Sequence, residues 1–252
     1  MRYLLYFCIT LFITSCVTVR PQGLSARKLK TNAGWDLPYN IYYPVSYSKG
    51  KVPLFIWLHG AGERGDDNVT QLIHIVPYLA SDITQSKYPC VVVAPQCPKE
   101  GYWAPVKRTE WAIINDSEVT PSMTGVIQLI DKLLRDPNID KSRVYIGGLS
   151  MGGFGTLDFL SRRPDLFAGA VPICGGADLG KADRYKNVPL WIFHGAKDIT
   201  VLTQFSRDLV TTLQKAGGEP KYTEYPDGGH DVWNRAIREP ELLKWLFDQK
   251  KK

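Results

Sequence analysis

Cysteine, histidine and long apolar runs are all scarce in this chain, and each scarcity narrows what the protein can be. The five cysteines and four histidines among 252 residues include no Cys-x-x-Cys pair and no histidine cluster with metal-ligand spacing, so the pattern points to no metal centre. Cys90 and Cys97 bracket an extended run that, at ~3.3 Å per residue, holds them roughly 20 Å apart, beyond disulfide reach. Cys174 reads as a small apolar filler. The apolar stretch 3–13 is too short to cross a bilayer as a permanent helix. Charge of one sign is not concentrated either: the net charge of +6 comes from scattered lysines and arginines apart from the tail Lys250-Lys251-Lys252, which leaves no nucleic-acid footprint. No internal repeat or low-complexity segment interrupts the chain.

Arg2, the apolar stretch and Thr14-Ser15-Cys16 together have the layout of an export signal. Ile13-Thr14-Ser15-Cys16 resembles a bacterial lipobox, in which small residues admit the peptidase and the cysteine thiol carries the lipid. The expectation is a signal peptide over 1–15, a lipid anchor on Cys16 that ties the chain to a membrane, and a cell-envelope location at the outer membrane or periplasmic face. An ordinary secretory signal cleaved nearby is the alternative, and it also exports the chain. Residues 16–30, with Pro21 and Gly23, read as a tether. Residues 31–252 then form one catalytic domain, since a chain of this length with 44% hydrophobic residues can bury one sizeable core.

The apolar runs 52–58 and 90–94 have the continuous character of buried parallel strands, and 37–43, 144–147, 169–173, 190–194 and 222–225 are further strands. Apolar spacing predicts helices over 71–81, 124–134, 155–161, 202–216 and 239–247. Strands alternating with helices give an α/β fold with a mostly parallel central sheet and helices on both faces.

The chemistry is concentrated at the ends of those strands. Gly148-Leu149-Ser150-Met151-Gly152 follows a strand and opens a helix, so it reads as a nucleophile elbow. The turn is tight enough for neighbouring Cβ atoms to clash, which calls for glycine on both sides of a strained serine. Downstream, Asp198 and His230 each follow a strand, in the order serine, acid, histidine. Asp178 and Asp227 compete for the acid role, and His59 and His194 for the base, although histidines at strand ends commonly hydrogen-bond loop backbone. His74 lies in the expected helix 71–81 with no visible partner, and Asp231 reads as a loop-capping group. His59-Gly60-Ala61-Gly62-Glu63-Arg64-Gly65 lies where backbone N–H groups can stabilise a developing oxyanion, and Ala61 and Met151 are the two expected donors. Glu63 and Arg64 suit a loop-bracing pair.

The ordered set HGAGERG, APQCP, GLSMGGFG, FHGAKD and GGHDVW resembles an α/β-hydrolase of the esterase group, which includes carboxylesterases, feruloyl and acetylxylan esterases, polyhydroxybutyrate depolymerases and proteins labelled predicted peptidases. The resemblance covers about residues 38–247. It implies Ser150 as nucleophile, Asp198 as acid, His230 as base, and hydrolysis through an acyl-enzyme with no cofactor. Tyr102, Trp103 and Trp111 fall in an irregular stretch that overhangs the site in this fold. There Trp103 and Trp111, with Trp233 beside His230, either bind a sugar or aromatic acyl group or simply cover the sheet edge. The leading expectation is an esterase acting on soluble or polymer-linked carboxylic esters, with acetyl and feruloyl groups on carbohydrate as candidate substrates. A peptidase of related fold and a silent glycan-binding lipoprotein are the alternatives.

Overall fold

The computed structural model describes residues 23–107, 112–113 and 118–251; Cys16, the stretch read as an export signal and Trp111 lie outside them. Among the described residues ten strands are formed: β1 (Leu24–Lys30), β2 (Asp36–Tyr42), β3 (Val52–Leu58), β4 (Val91–Pro95), β5 (Val106–Lys107), β6 (Ala112–Ile113), β7 (Ile139–Leu149), β8 (Gly169–Ile173), β9 (Trp191–Gly195) and β10 (Lys221–Tyr225). Seven helices accompany them: α1 (Val76–Leu79), α2 (Asp82–Lys87), α3 (Pro121–Leu133), α4 (Met151–Arg162), α5 (Gln204–Lys215), α6 (Trp233–Ala236) and α7 (Leu242–Asp248).

Eight strands make one sheet in the order β1-β2-β4-β3-β7-β8-β9-β10, and β5 and β6 form a small separate hairpin. Pairing is antiparallel across β1, β2 and β4 and parallel from β4 to β10. The side chains of β3 show why the sheet is buried on both sides. Leu54, Ile56 and Leu58 join a core with α3, α4 and α5 residues such as Val126, Leu157 and Leu209. Phe55 and Trp57 join a second core with Val76, Ala236 and Leu246 from α1, α6 and α7. Alternate residues of a strand point to opposite faces, so a run that is apolar throughout needs a helix layer on each. The mostly parallel α/β sheet expected from the sequence is therefore the one formed.

Two expectations need correction. The segment read as a tether over 16–30 includes β1, whose seven residues pair in register with β2; its charged Arg27, Lys28 and Lys30 belong to an edge strand, where charge on the solvent side blocks further pairing. The single helix expected over 71–81 is instead a 3-10 turn at Thr70–Leu72 followed by the four-residue α1. Pro77 lies in the first turn of α1; with no N–H and a ring that clashes with the preceding turn, it is tolerated there and would break a longer helix. Cys90, Cys97 and Cys174 are buried and unbridged, and burial pushes the Cys90 and Cys97 thiols up to about 12.

Candidate active site

Ser150 sits between β7 and α4 with φ 52° and ψ −117°, a region that costs a non-glycine residue about 1–3 kcal/mol. The surroundings hold it there. Its N–H donates to the Ile173 carbonyl at 2.8 Å, and its own carbonyl accepts the Phe154 N–H at 3.1 Å. A Cβ at Gly152 would stand 2.0 Å from the Leu58 carbonyl oxygen, and one at Gly148 would stand 2.3 Å from the Gly152 carbonyl oxygen. The backbone of α4 therefore packs directly on the end of β3, and only glycine permits it.

Asp198 follows β9 and His230 follows β10, so the carboxyl ends of three parallel strands deliver the three side chains to one place, where open α/β sheets place their sites. His230 Nε2 lies 2.9 Å from Ser150 Oγ, and His230 Nδ1 lies 2.7 Å from Asp198 Oδ2. A carboxylate only accepts, so the ring proton is on Nδ1 and Nε2 is left to accept from the serine hydroxyl. Asp198 Oδ1 accepts the N–H groups of Thr200 and Val201 at 2.8 and 2.9 Å. Burial opposes its ionisation, but hydrogen bonds from His194, His230 and the Val201 N–H outweigh that and hold the carboxyl far below the usual carboxylate range.

The other candidates are spent elsewhere. Asp178 caps a 3-10 turn by accepting from Gly180 N–H, and Asp227 pairs with Arg235 on the surface. His59 Nδ1 donates to the Gly60 carbonyl at 2.6 Å while its Nε2 accepts the Cys97 N–H at 2.9 Å. Ala61 opens the 3-10 turn Ala61–Glu63, and Met151 opens α4, so both N–H groups belong to first turns, which leave donors without intrahelical acceptors.

Three further expectations change. Trp103 is fully buried, its indole N–H donating to the His59 carbonyl at 3.0 Å and its Cβ packed where a Gly155 side chain would go; it braces the loop after β3 and is not a surface for substrate. Glu63 and Arg64 do not brace each other. Glu63 pairs with His74 at 3.4 Å, whereas Arg64 Nε donates to the Ala61 carbonyl at 2.9 Å and its guanidinium lies 4.9 Å from the Tyr102 ring centre. His74 thus has a partner, and no sequence signal marked it because the pairing depends on the broken helix. Trp233 remains half-buried, edge-on to His230 with ring centres 5.5 Å apart. The sequence reading did not bring together the residues around Asp198: among the described residues, Cys174, His194 and Asp198 each bring a potential ligand atom within 4.8 Å of the others. Those ligand atoms are already engaged within the protein: Asp198 Oδ2 accepts from His230 Nδ1 at 2.7 Å, and His194 Nδ1 accepts the Ser206 hydroxyl at 2.7 Å. The other His194 nitrogen is likewise occupied, lying 2.9 Å from the Val201 carbonyl oxygen.

Residues 45–241 match the phospholipase/carboxylesterase family of α/β-hydrolases. The chain belongs to that family, and with it to the carboxylic ester hydrolases. A solved thermostable esterase is similar over 91% of this chain at 37% identity with a TM-score of 0.83, and the chain spans 64% of that protein's length. A probable carboxylesterase from Oryza sativa subsp. japonica is 24% identical over 212 residues, covering 77% of this chain and 87% of the relative. A bifunctional acetylxylan esterase/xylanase from Neocallimastix patriciarum is 34% identical over 83 residues, 33% of this chain and 12% of the relative.

Proposed function

We propose that the protein hydrolyses carboxylic esters through an acyl-enzyme on Ser150. The observation that carries this is the unbroken hydrogen-bond chain from Ser150 Oγ through His230 to Asp198, at 2.9 and 2.7 Å. His230 Nε2 takes the serine proton as Oγ attacks the acyl carbon and returns it to the departing alcohol. Water then attacks the acyl-enzyme by the same route. Asp198 holds the Nδ1–H tautomer and stabilises the imidazolium without taking the proton. The N–H groups of Ala61 and Met151 receive the negative charge on the carbonyl oxygen, a contribution of about 3 to 4 kcal/mol for each donor in comparable sites.

The favoured substrates are acetyl or feruloyl esters on carbohydrate. Support comes from the half-exposed Trp233 ring beside the base and from the segment shared with the acetylxylan esterase/xylanase. Placement at the cell envelope through a lipid on Cys16 completes the reading, and its support is the sequence of residues 13–16.

The test is hydrolysis of short-chain aryl acetates, methyl ferulate, acetylated xylan and a prolyl anilide by a fragment starting after Cys16, with Ser150→Ala alongside. Ester turnover that the variant loses, by roughly 10³-fold or more, is expected. Turnover that survives the substitution refutes the nucleophile, and cleavage of the anilide alone moves the reading to a peptidase.

A further inference from the structure

His194 is the fourth residue of β9 and is fully buried. Its Nε2 lies 2.9 Å from the Val201 carbonyl oxygen, an atom that can only accept, so the ring proton is on Nε2. The same nitrogen is 3.2 Å from Asp198 Oδ2, so its single proton is shared between that carboxylate oxygen and the closer Val201 carbonyl. Nδ1, left as an acceptor, takes the hydroxyl of Ser206 at 2.7 Å, and Ser206 is itself fixed on α5 by its N–H bond to the Thr203 carbonyl at 3.0 Å. Oδ2 of Asp198 therefore lies between two imidazole N–H groups, with His230 on the substrate side and His194 on the core side.

We propose that His194 is a positioning residue for the hydrolysis: its Nε2–H fixes Asp198 Oδ2 opposite His230 and shares the carboxylate's charge, and so sets the basicity of His230. This rests on the Ser150-His230-Asp198 reading and adds to it a second histidine that never meets substrate. The physical reason is competition. Every donor that binds an anionic oxygen stabilises the anion and weakens its pull on the next donor. With the His194 donor gone, the whole Oδ2 charge acts on His230, the imidazolium becomes more stable, and the carboxylate is freer to turn. The other titratable groups facing the pair are Cys174 at the end of β8, Asp231 next to His230, and Glu224 on β10. Burial and the Asp198 charge keep the Cys174 thiol protonated, and Glu224 is bound principally to Arg207. Neither supplies a second imidazole to Oδ2.

The experiment is the pH profile of kcat/KM for an aryl acetate with three variants and Ser150→Ala as the control, each checked for folding by thermal unfolding. His194→Phe keeps the ring and deletes the donor. His194→Gln places an amide N–H near the Nε2 position. Ser206→Ala removes the hydroxyl that holds Nδ1 as the acceptor. The acidic limb, which reports protonation of the free enzyme's base, is expected to move to higher pH by about half a unit or more in His194→Phe. It returns to the wild-type position in His194→Gln and moves the same way by less in Ser206→Ala. A folded His194→Phe enzyme with an unmoved limb overturns the proposal, as do Phe and Gln variants that behave alike. If His194→Phe does not fold, an unmoved limb in Ser206→Ala overturns it instead. Activity surviving in Ser150→Ala brings down the triad reading together with this one, whereas a dead Ser150→Ala with unmoved limbs brings down this one alone.

Discussion

His59 should make the fold sensitive to mild acid, independently of the carboxylates. Its ring is 1% exposed, and burial, the largest influence, lowers its pKa from 6.5 to about 4 despite the Gly60 carbonyl and Glu63 acting the other way. The hydrogen bonds show what protonation would break. Nδ1–H is already donated to Gly60, so a second proton must go on Nε2, which accepts the Cys97 N–H at 2.9 Å. Between about pH 4 and 6.5 the unfolded chain binds this proton and the folded chain does not, so stability rises with pH across that window and is lost as pH falls through it. At 1.36 kcal/mol per unit, the loss from this one group is about 2 kcal/mol by pH 5 and about 3 kcal/mol by pH 4, relative to neutral pH. The assay is urea unfolding at pH 7.5, 6, 5 and 4 for the wild type and His59→Gln, because glutamine does not titrate while the other acid-sensitive groups are common to both. The wild type's stability should fall relative to the variant by about 3 kcal/mol across the series. Parallel curves would refute the buried neutral histidine.

Two glycines near the site should respond very differently to alanine. Gly152→Ala drives a methyl to 2.0 Å from the Leu58 carbonyl oxygen, backbone of a buried strand that cannot yield, so a loss at or beyond the upper end of the usual ~1–3 kcal/mol for overpacking is expected in thermal unfolding. Gly62→Ala meets nothing within 4 Å and should stay within about 0.5 kcal/mol of wild type; equal losses at both positions would contradict the packing of α4 on β3. For Cys16, labelled palmitate should enter the full-length chain expressed in a Gram-negative host and should be absent from Cys16→Ala, and label retained in the variant would refute the anchor.

How legible each part was depends on the range of the physics involved. Strands β3 and β8 were read correctly because a buried strand is apolar at every position, a property of the segment alone. Strand β1 was not, since Arg27, Lys28 and Lys30 look like linker until β2 is there to pair with them. The helix expected over 71–81 had the right apolar spacing at Leu72, Ile75, Val76 and Leu79, and all four are buried. The periodicity was real, but Pro77 set how the backbone delivers it.

The same distinction runs through the site. Ser150, Asp198 and His230 could be picked out because the reaction restricts both residue type and chain order, and the fold brings them within hydrogen-bond reach across 80 and 32 residues. Trp103 stayed open between two roles because an indole in a loop near a site can stack on substrate or fill a gap in the core, and only its contact with Gly155 decides between them. His194 stands four residues before Asp198, yet that spacing brings two side chains together in a helix and not at a strand end. The turn Gly195-Ala196-Lys197 folds back so that Asp198 N–H donates to the Gly195 carbonyl at 3.2 Å, and this returns Asp198 to the ring it has just passed. Chemistry that needs a given residue type is thus written in the sequence, while chemistry that needs a given angle is written in the turn. The placing of Asp198 Oδ2 between the rings of His230, at 2.7 Å, and His194, at 3.2 Å, belongs to the second kind.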